Sequence, residues 1–184
     1  MLNISFKPFP ELSTQRLTLR QIKMEDENEI FALRSDDRVN QFLDRLKAHS
    51  IEDARSFINK INTGIQKNEL IFWAINFKNE TRLIGTICLW NISKENDKAE
   101  IGYELYPDFQ GKGIMQEAFS KVMEYGFEEM KLRTIEAYTT AGNHSSIKLL
   151  EKYHFKKETT LENKNDEPEG MMKIVIYSLT NQTK

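Results

Sequence analysis

Apolar residues along the chain switch between a period of two and a period near 3.6, and the switches mark out the elements. Residues 15–22 separate β-branched and long apolar side chains with polar ones, which predicts an opening edge strand. Glu25, Asp26, Glu27 and Glu29 then crowd the start of a helix expected over 25–34, where acids complement the positive end, and Asp36 and Asp37 break it. A short helical piece is expected over 39–43. A longer helix follows over 52–67, carrying Ala54, Phe57, Ile58, Ile61 and Ile65 on one face. Ser50 is placed to cap it, with Asp53 standing in for the usual Glu of a capping box. Residues 71–77 and 81–92 predict a hairpin about the turn at Lys78, Asn79 and Glu80, and 97–106 a third antiparallel strand closed by Pro107. A helix over 113–130 leads to a strand over 134–140, which the crossover should make parallel to the strand over 97–106. Another helix is expected from Asn143 to Lys152, and strands over 155–161 and 172–179 close the sheet around a charged connector, 162–170. The expectation is one α+β domain over 1–184: a mixed, twisted sheet of about seven strands with one parallel pair, flanked by about four helices.

The junction between the third antiparallel strand and the long helix carries the strongest chemical signal. There the chain reads Asp108-Phe109-Gln110-Gly111-Lys112-Gly113-Ile114-Met115. Glycines admit close backbone approach, and the N–H groups at a helix start form an anion site. A phosphate loop holding magnesium needs Lys-Ser/Thr after its last glycine, but Ile114 follows Gly113. A dinucleotide fingerprint needs a third glycine where Gln116 stands.

The order Gln110-x-x-Gly113-x-Met115 resembles the acyl-CoA loop of the GCN5-related N-acetyltransferases, written Gln/Arg-x-x-Gly-x-Gly/Ala. Met115 departs from its last position and must therefore point away from the diphosphate. Further segments, in that family's order, are similar to its ribosomal-protein N-terminal acetyltransferase branch, the RimJ/RimL-like enzymes. They are Thr14-Gln15-Arg16-Leu17, Ile84-Gly85-Thr86, Glu100-Ile101-Gly102-Tyr103, and Asn143-His144-Ser145-Ser146 with Leu149-Leu150-Glu151-Lys152-Tyr153-His154-Phe155. Two other departures are His154, where the family usually has Gly before Phe, and Leu150, where many relatives carry a tyrosine acid.

The resemblance implies transfer of an acetyl group from acetyl-CoA to a primary amine, of a small molecule or a protein N-terminus, by direct attack. The alternative is a non-catalytic acyl-CoA-binding sensor or module. A crevice is expected where the parallel strands end, between 104–106 and 137–139. By resemblance the pantetheine arm pairs there with backbone at Leu105 and Tyr106, one of whose N–H groups also receives the oxyanion. The diphosphate then lies on Gln110, Gly111, Lys112, Gly113, Ile114 and Met115, with Asn143 and Ser146 at the next helix start and Lys112 and Lys148 near the remaining phosphate. Glu100 and Glu104 share a strand face with Gly102 between them; Glu100 is the first candidate for general base, directly or through water, and Glu136 the second. Ser146 is assigned as the acid by resemblance, with Tyr103 and Tyr138 in reserve. The acidic residues from Glu25 to Glu29, with Asp36 and Asp37, would draw a cationic amine.

Composition narrows the class further. A net charge of −2 over 184 residues argues against a nucleic-acid partner. No run approaches the ~18 apolar residues of a membrane span, and no signal-peptide core opens the chain. Cys88 is the single cysteine, expected as a small buried hydrophobe, and His49, His144 and His154 lack metal-ligand spacing. The expectation is a cytoplasmic protein, monomer or homodimer, without a metal.

Overall fold

The computed structural model describes residues 2–43, 45–161 and 173–181. Eight strands form one sheet: β1 (Leu12–Ser13), β2 (Leu17–Gln21), β3 (Ile71–Phe77), β4 (Gly85–Ser93), β5 (Lys98–Leu105), β6 (Thr134–Thr140), β7 (Lys156–Leu161) and β8 (Ile174–Thr180). Their order is β1-β2-β3-β4-β5-β6-β8-β7, and only β5 and β6 are parallel. The helices are α1 (Glu27–Ser35), α2 (Asp37–Asn40), α3 (Ile51–Gln66), α4 (Ile114–Glu124) and α5 (His144–Lys152). The extra strand is the two-residue β1, which pairs Leu12 with Leu19 and makes β2 the second strand of the sheet rather than its edge. The short helix falls over Asp37–Asn40, earlier than the expected 39–43, because the Asp36 side chain accepts the Arg38 N–H and caps it. The 162–170 connector and the first residue of the expected 172–179 strand lie outside the described residues.

Residues alternate across the sheet, so each face has its own helices. On one face Trp73 meets Tyr125 edge-on at 5.4 Å and Tyr103 meets Phe119 at 5.5 Å, which seats α4 and the π-helical turn that extends it (Tyr125–Glu129). On the other face Phe72 meets Phe57 at 5.7 Å and brings in α3. The capping box at the start of α3 forms as its residues predict: Ser50 Oγ accepts from Asp53 N at 3.2 Å, and Asp53 Oδ2 accepts from Ser50 N at 3.0 Å.

The parallel pair is short. β5 and β6 are in register only from Lys98 with Thr134 to Glu100 with Glu136. Beyond that point β5 stays on β4 as far as Leu105 with Gly85, while β6 stays on β8 as far as Thr140 with Ile174. Each strand follows its outer neighbour, and a gap opens between them. The end of β5 is fixed by Tyr106 N donating to Ile84 O at 3.0 Å. It is fixed more tightly by Gly85, where an added Cβ would stand 2.5 Å from Glu104 O and 2.8 Å from Leu105 Cδ1. Gly85→Ala should therefore push β5 off β4 and cost about 1–3 kcal/mol, the usual range for overpacking. Urea unfolding monitored by circular dichroism checks this; an unchanged midpoint would show that β5 is not held by close contact at Gly85.

Candidate active site

The chain leaves β5 through a 3₁₀ turn, Pro107–Phe109, and turns into α4 on two glycines. Gly111 and Gly113 have φ of +73° and +72°, the left-handed region that glycine occupies without strain. A Cβ on Gly111 would meet nothing within 4 Å, so it is the backbone conformation, not crowding by the protein, that calls for glycine. The first N–H to bond back into α4 is that of Glu117, to Gly113 O at 3.1 Å. The N–H groups of Ile114, Met115 and Gln116 precede it, at the positive end of the helix. Gly113 is the N-cap, and its neighbours bring no side-chain acceptor to these donors. The arrangement fits a diphosphate. Met115 is partly buried against the core and also lines the cavity beside the loop.

The loop is clamped from the turn between β1 and β2. Thr14 Oγ1 and the Arg16 backbone N–H both donate to Glu117 Oε1, the latter at 2.7 Å. Arg16 Nε reaches Glu117 Oε2 at 2.6 Å, and its Nη1 reaches Lys112 O at 3.2 Å. The Thr-x-Arg sequence near the start is thus a brace for the glycine loop, a partnership that sequence spacing does not reveal. From the other side Gln110 Nε2 donates to Leu105 O at 3.0 Å and ties the loop to the end of β5.

A cavity of about 500 Å³ runs from this loop into the gap between the strands. Its walls include Leu105, Gln110, Gly111, Gly113, Ile114, Met115, Asn143, Ser146 and Lys148. Asn143 caps α5 by accepting from Ser146 N at 3.1 Å, which holds the Ser146 hydroxyl in the cavity wall. That hydroxyl lies 2.8 Å from the Tyr103 hydroxyl, a partner the sequence held only in reserve. Burial pushes the Tyr103 phenol up to about 12. Tyr138 projects from the opposite sheet face, Lys112 stays exposed beside the Phe109 ring, and Leu150 is fully buried.

Three sequence expectations change. The Tyr106 backbone is engaged: its N–H goes to Ile84 and its carbonyl accepts from Phe109 N at 2.9 Å, so it has no N–H for a pantetheine amide or an oxyanion. The ladder alternation that turns Tyr106 toward β4 turns the N–H of Leu105 and both backbone groups of Tyr103 toward the gap instead. Second, the acidic cluster is largely neutralised, since Asp26 pairs with Arg20 at 2.7 Å, Glu27 with Arg55 at 2.6 Å, Asp36 with Arg38 at 2.7 Å and Asp37 with Lys47. Third, the second candidate base, Glu136, and the neighbouring Glu104 are both committed. Glu104 is gripped by both terminal nitrogens of Arg45, and Glu136 accepts from Lys98 Nζ at 2.9 and 3.1 Å. Glu100 has no ion pair among the described residues. Burial raises its carboxyl to about 7, the Glu136 charge adds to the rise, and hydrogen bonds from Asn91 and Trp90 oppose it.

Cys88 lies on β4 opposite Gly102, its thiol pushed up to about 12 by burial. No group of three His, Cys, Asp or Glu side chains suited to a metal gathers among the described residues. No helix among them is long and apolar enough to cross a membrane.

Comparison with known proteins places these features in one family. Residues 16–156 match the model of the acetyltransferase (GNAT) domain. The chain is 39% identical over 153 residues to the uncharacterized N-acetyltransferase YoaA of Bacillus subtilis, covering 83% of this chain and 86% of that one. A GNAT-family acetyltransferase structure from Bacillus anthracis superposes with a TM-score of 0.79 at 25% identity, over 93% of this chain and 98% of the other. The RimL ribosomal L7/L12 alpha-N-protein acetyltransferase, solved with coenzyme A, shares the fold with a TM-score of 0.82 at 20% identity, over 93% and 98%. With its glycine loop, its splayed parallel strands and a family match running from the Arg16 brace to the start of β7, the chain belongs to the GNAT acetyltransferase family.

Proposed function

We propose that this acetyl-CoA-dependent N-acetyltransferase acetylates a primary amine, of a small molecule or a protein N-terminus, with Glu100 as the general base. The observation that carries the proposal is the state of its three strand carboxylates: Glu104 and Glu136 are held in ion pairs, and Glu100 is held near neutrality by burial. Acetyl-CoA supplies the activated acyl group as a thioester. The N–H groups from Gly111 to Met115 and the start of α4 bind its diphosphate, and Lys148 in the cavity wall serves its remaining phosphate. The Tyr103 backbone and the Leu105 N–H pair with the pantetheine amides, and Leu105 N–H also faces the negative charge that develops on the acetyl oxygen.

An attacking amine must be neutral. An α-amine near ~8 can pass its proton to a carboxylate near 7 at a cost of about one pKa unit, whereas a lysine-like amine near ~10.4 costs more than three. The base therefore serves the first class well. On the leaving side, Tyr103 near 12 cannot protonate a thiolate of ordinary pKa ~8.5 to completion. Ser146 and Tyr103 instead act as a hydroxyl pair that donates a hydrogen bond to the sulfur. This refines the acid role expected for Ser146. The single thiol, Cys88, suits a reducing cytoplasm.

Acetyl-CoA at 100 times its dissociation constant should stabilise the fold by about 2.7 kcal/mol. Its upward shift in melting temperature should vanish in Gly113→Val, whose β-branched residue cannot hold φ near +72° beside a bound phosphate. A folded Gly113→Val with the full shift would put the diphosphate elsewhere.

Turnover of Glu100→Gln should fall by about 10²–10⁴ near pH 7, with acetyl-CoA affinity unchanged, and recover as pH approaches the pKa of the amine. Ser146→Ala should lose about tenfold or less at every pH, because only a hydrogen bond is removed. A carboxyl raised from 4.5 to about 7 by folding adds stability that is complete below pH 4.5 and lost as pH rises through 7. Glu100→Gln should thus melt roughly 2–4 °C above the wild type at pH 8 and level with it at pH 4. Wild-type turnover in Glu100→Gln from pH 6.5 to 9.5 would remove Glu100 from the mechanism.

A further inference from the structure

The α3 side of the gap, where the cavity reaches Glu104, has its own construction. Tyr103 and the Ser146 hydroxyl belong to the α4 face, whereas Glu100, Gly102 and Glu104 point to the face that carries α1 and α3. The helices cover that face at Phe72, where Phe57 packs, and the loop after α2 covers it at Glu104, which Arg45 holds. Further along β5 the cover ends. Trp90, cross-strand from Glu100 on β4, is 45% exposed, and Tyr138 on β6 is 42% exposed.

Glu136 is in register with Glu100, so Tyr138, two residues on, stands level with Gly102. That is where β5 and β6 have parted. Gly102 has no side chain to close the opening, and the indole Nε1 of Trp90 lies 3.7 Å from where its Cβ would be. The Trp90 indole therefore lies over Gly102 and donates to Glu100, and the exposed Tyr138 ring stands on the neighbouring strand at the same level. The mouth of the gap on this face thus presents the exposed faces of two aromatic side chains, one of them laid over Gly102, beside Glu100, a carboxylate with no ion pair among the described residues.

We propose that Trp90, Tyr138 and Glu100 form the acceptor site, and that it selects monoamines with an aromatic or branched apolar body and no carboxylate beside the nitrogen. The proposal rests on the acetyl-transfer reading above and names its substrate class. One ammonium matches Glu100, which has no ion pair among the described residues, and the faces of the two rings. A second ammonium gains little, because Glu136 already holds Lys98 at 2.9 Å. A carboxylate on the amine-bearing carbon would be forced against Glu100 and Glu136. The apolar body covers ring surface that is otherwise left in water.

The chain has two tryptophans, and Trp73 is fully buried, so exposed Trp90 reports on this site. The experiment titrates 2-phenylethylamine, phenylalanine and spermidine into the protein saturated with coenzyme A, following tryptophan emission and, in parallel, heat by calorimetry. Saturable binding of 2-phenylethylamine is expected, with phenylalanine and spermidine weaker by about tenfold or more. Tyr138→Ala should weaken 2-phenylethylamine about tenfold, the loss of one ring contact, and Tyr138→Phe should keep it. Trp90→Phe should abolish the emission change but retain calorimetric binding. Equal or tighter binding of spermidine or phenylalanine, no saturable heat with 2-phenylethylamine, or an unaffected Tyr138→Ala each overturns the proposal. If any of these occurs while acetyl-CoA still raises the melting temperature, only the acceptor assignment fails; if the acetyl-CoA shift is also missing, the underlying reading fails with it.

Discussion

Beyond Glu100 and Glu136, β5 and β6 are bound to different neighbours, and the gap this leaves organises everything around it. β5 cannot leave β4, because Tyr106 is bonded to Ile84 and Gly85 lets the backbones approach within a distance no other residue allows. β6 cannot leave β8, with which it pairs from Thr134 to Thr140. A sheet parted in this way leaves the Leu105 N–H and both backbone groups of Tyr103 without a strand partner, and such groups cost about 1–3 kcal/mol each if buried unpaired. An amide-bearing chain such as pantetheine is a fitting partner. The cavity beside the glycine loop also reaches Glu104 and the α2 segment, so a donor on the α4 face and an acceptor on the α3 face can meet through the gap.

Electrostatics divides the site in the same way. On the α4 face the backbone supplies the positive end of a helix, and the brace from Thr14 and Arg16 to Glu117 keeps that end aimed at the cavity. On the other face ion pairs remove Glu104 and Glu136 from acid–base work, and only Glu100 remains at an intermediate environment with a carboxyl near 7. As the proposed base, such a carboxyl would be matched to α-amines rather than to lysine-like amines. The hydroxyl pair of Tyr103 and Ser146 lies on the donor side, too weakly acidic to do more than hydrogen-bond a departing sulfur.

Much of this was legible because it is local. Alternation and helical spacing located the strands and helices, and the capping box at Ser50 and Asp53 follows from four consecutive residues. The two glycines mark a left-handed turn that few other residues adopt readily. His154, standing where the family has glycine, indeed has φ of +63°, so the family pattern records a backbone requirement that this chain meets at some strain. What was not legible is long-range. The placement of β8 between β6 and β7 depends on a pairing across the sheet, and β1 is too short to carry a period. The pairing of the acidic cluster with Arg20, Arg38, Lys47 and Arg55 requires knowing which elements meet. The engagement of Tyr106 depends on ladder phase, which one residue of register reverses.

The central claim is that the gap and the glycine loop hold acetyl-CoA through backbone N–H groups. The direct measurement is an amide-resolved nuclear magnetic resonance titration of the isotope-labelled protein with acetyl-CoA. The amides of Leu105, Gly111, Gly113 and Ile114 should move together and saturate at one ligand per chain, while that of Tyr106, already bonded to Ile84, should move little. Saturation with the loop amides and Leu105 unmoved would contradict the account.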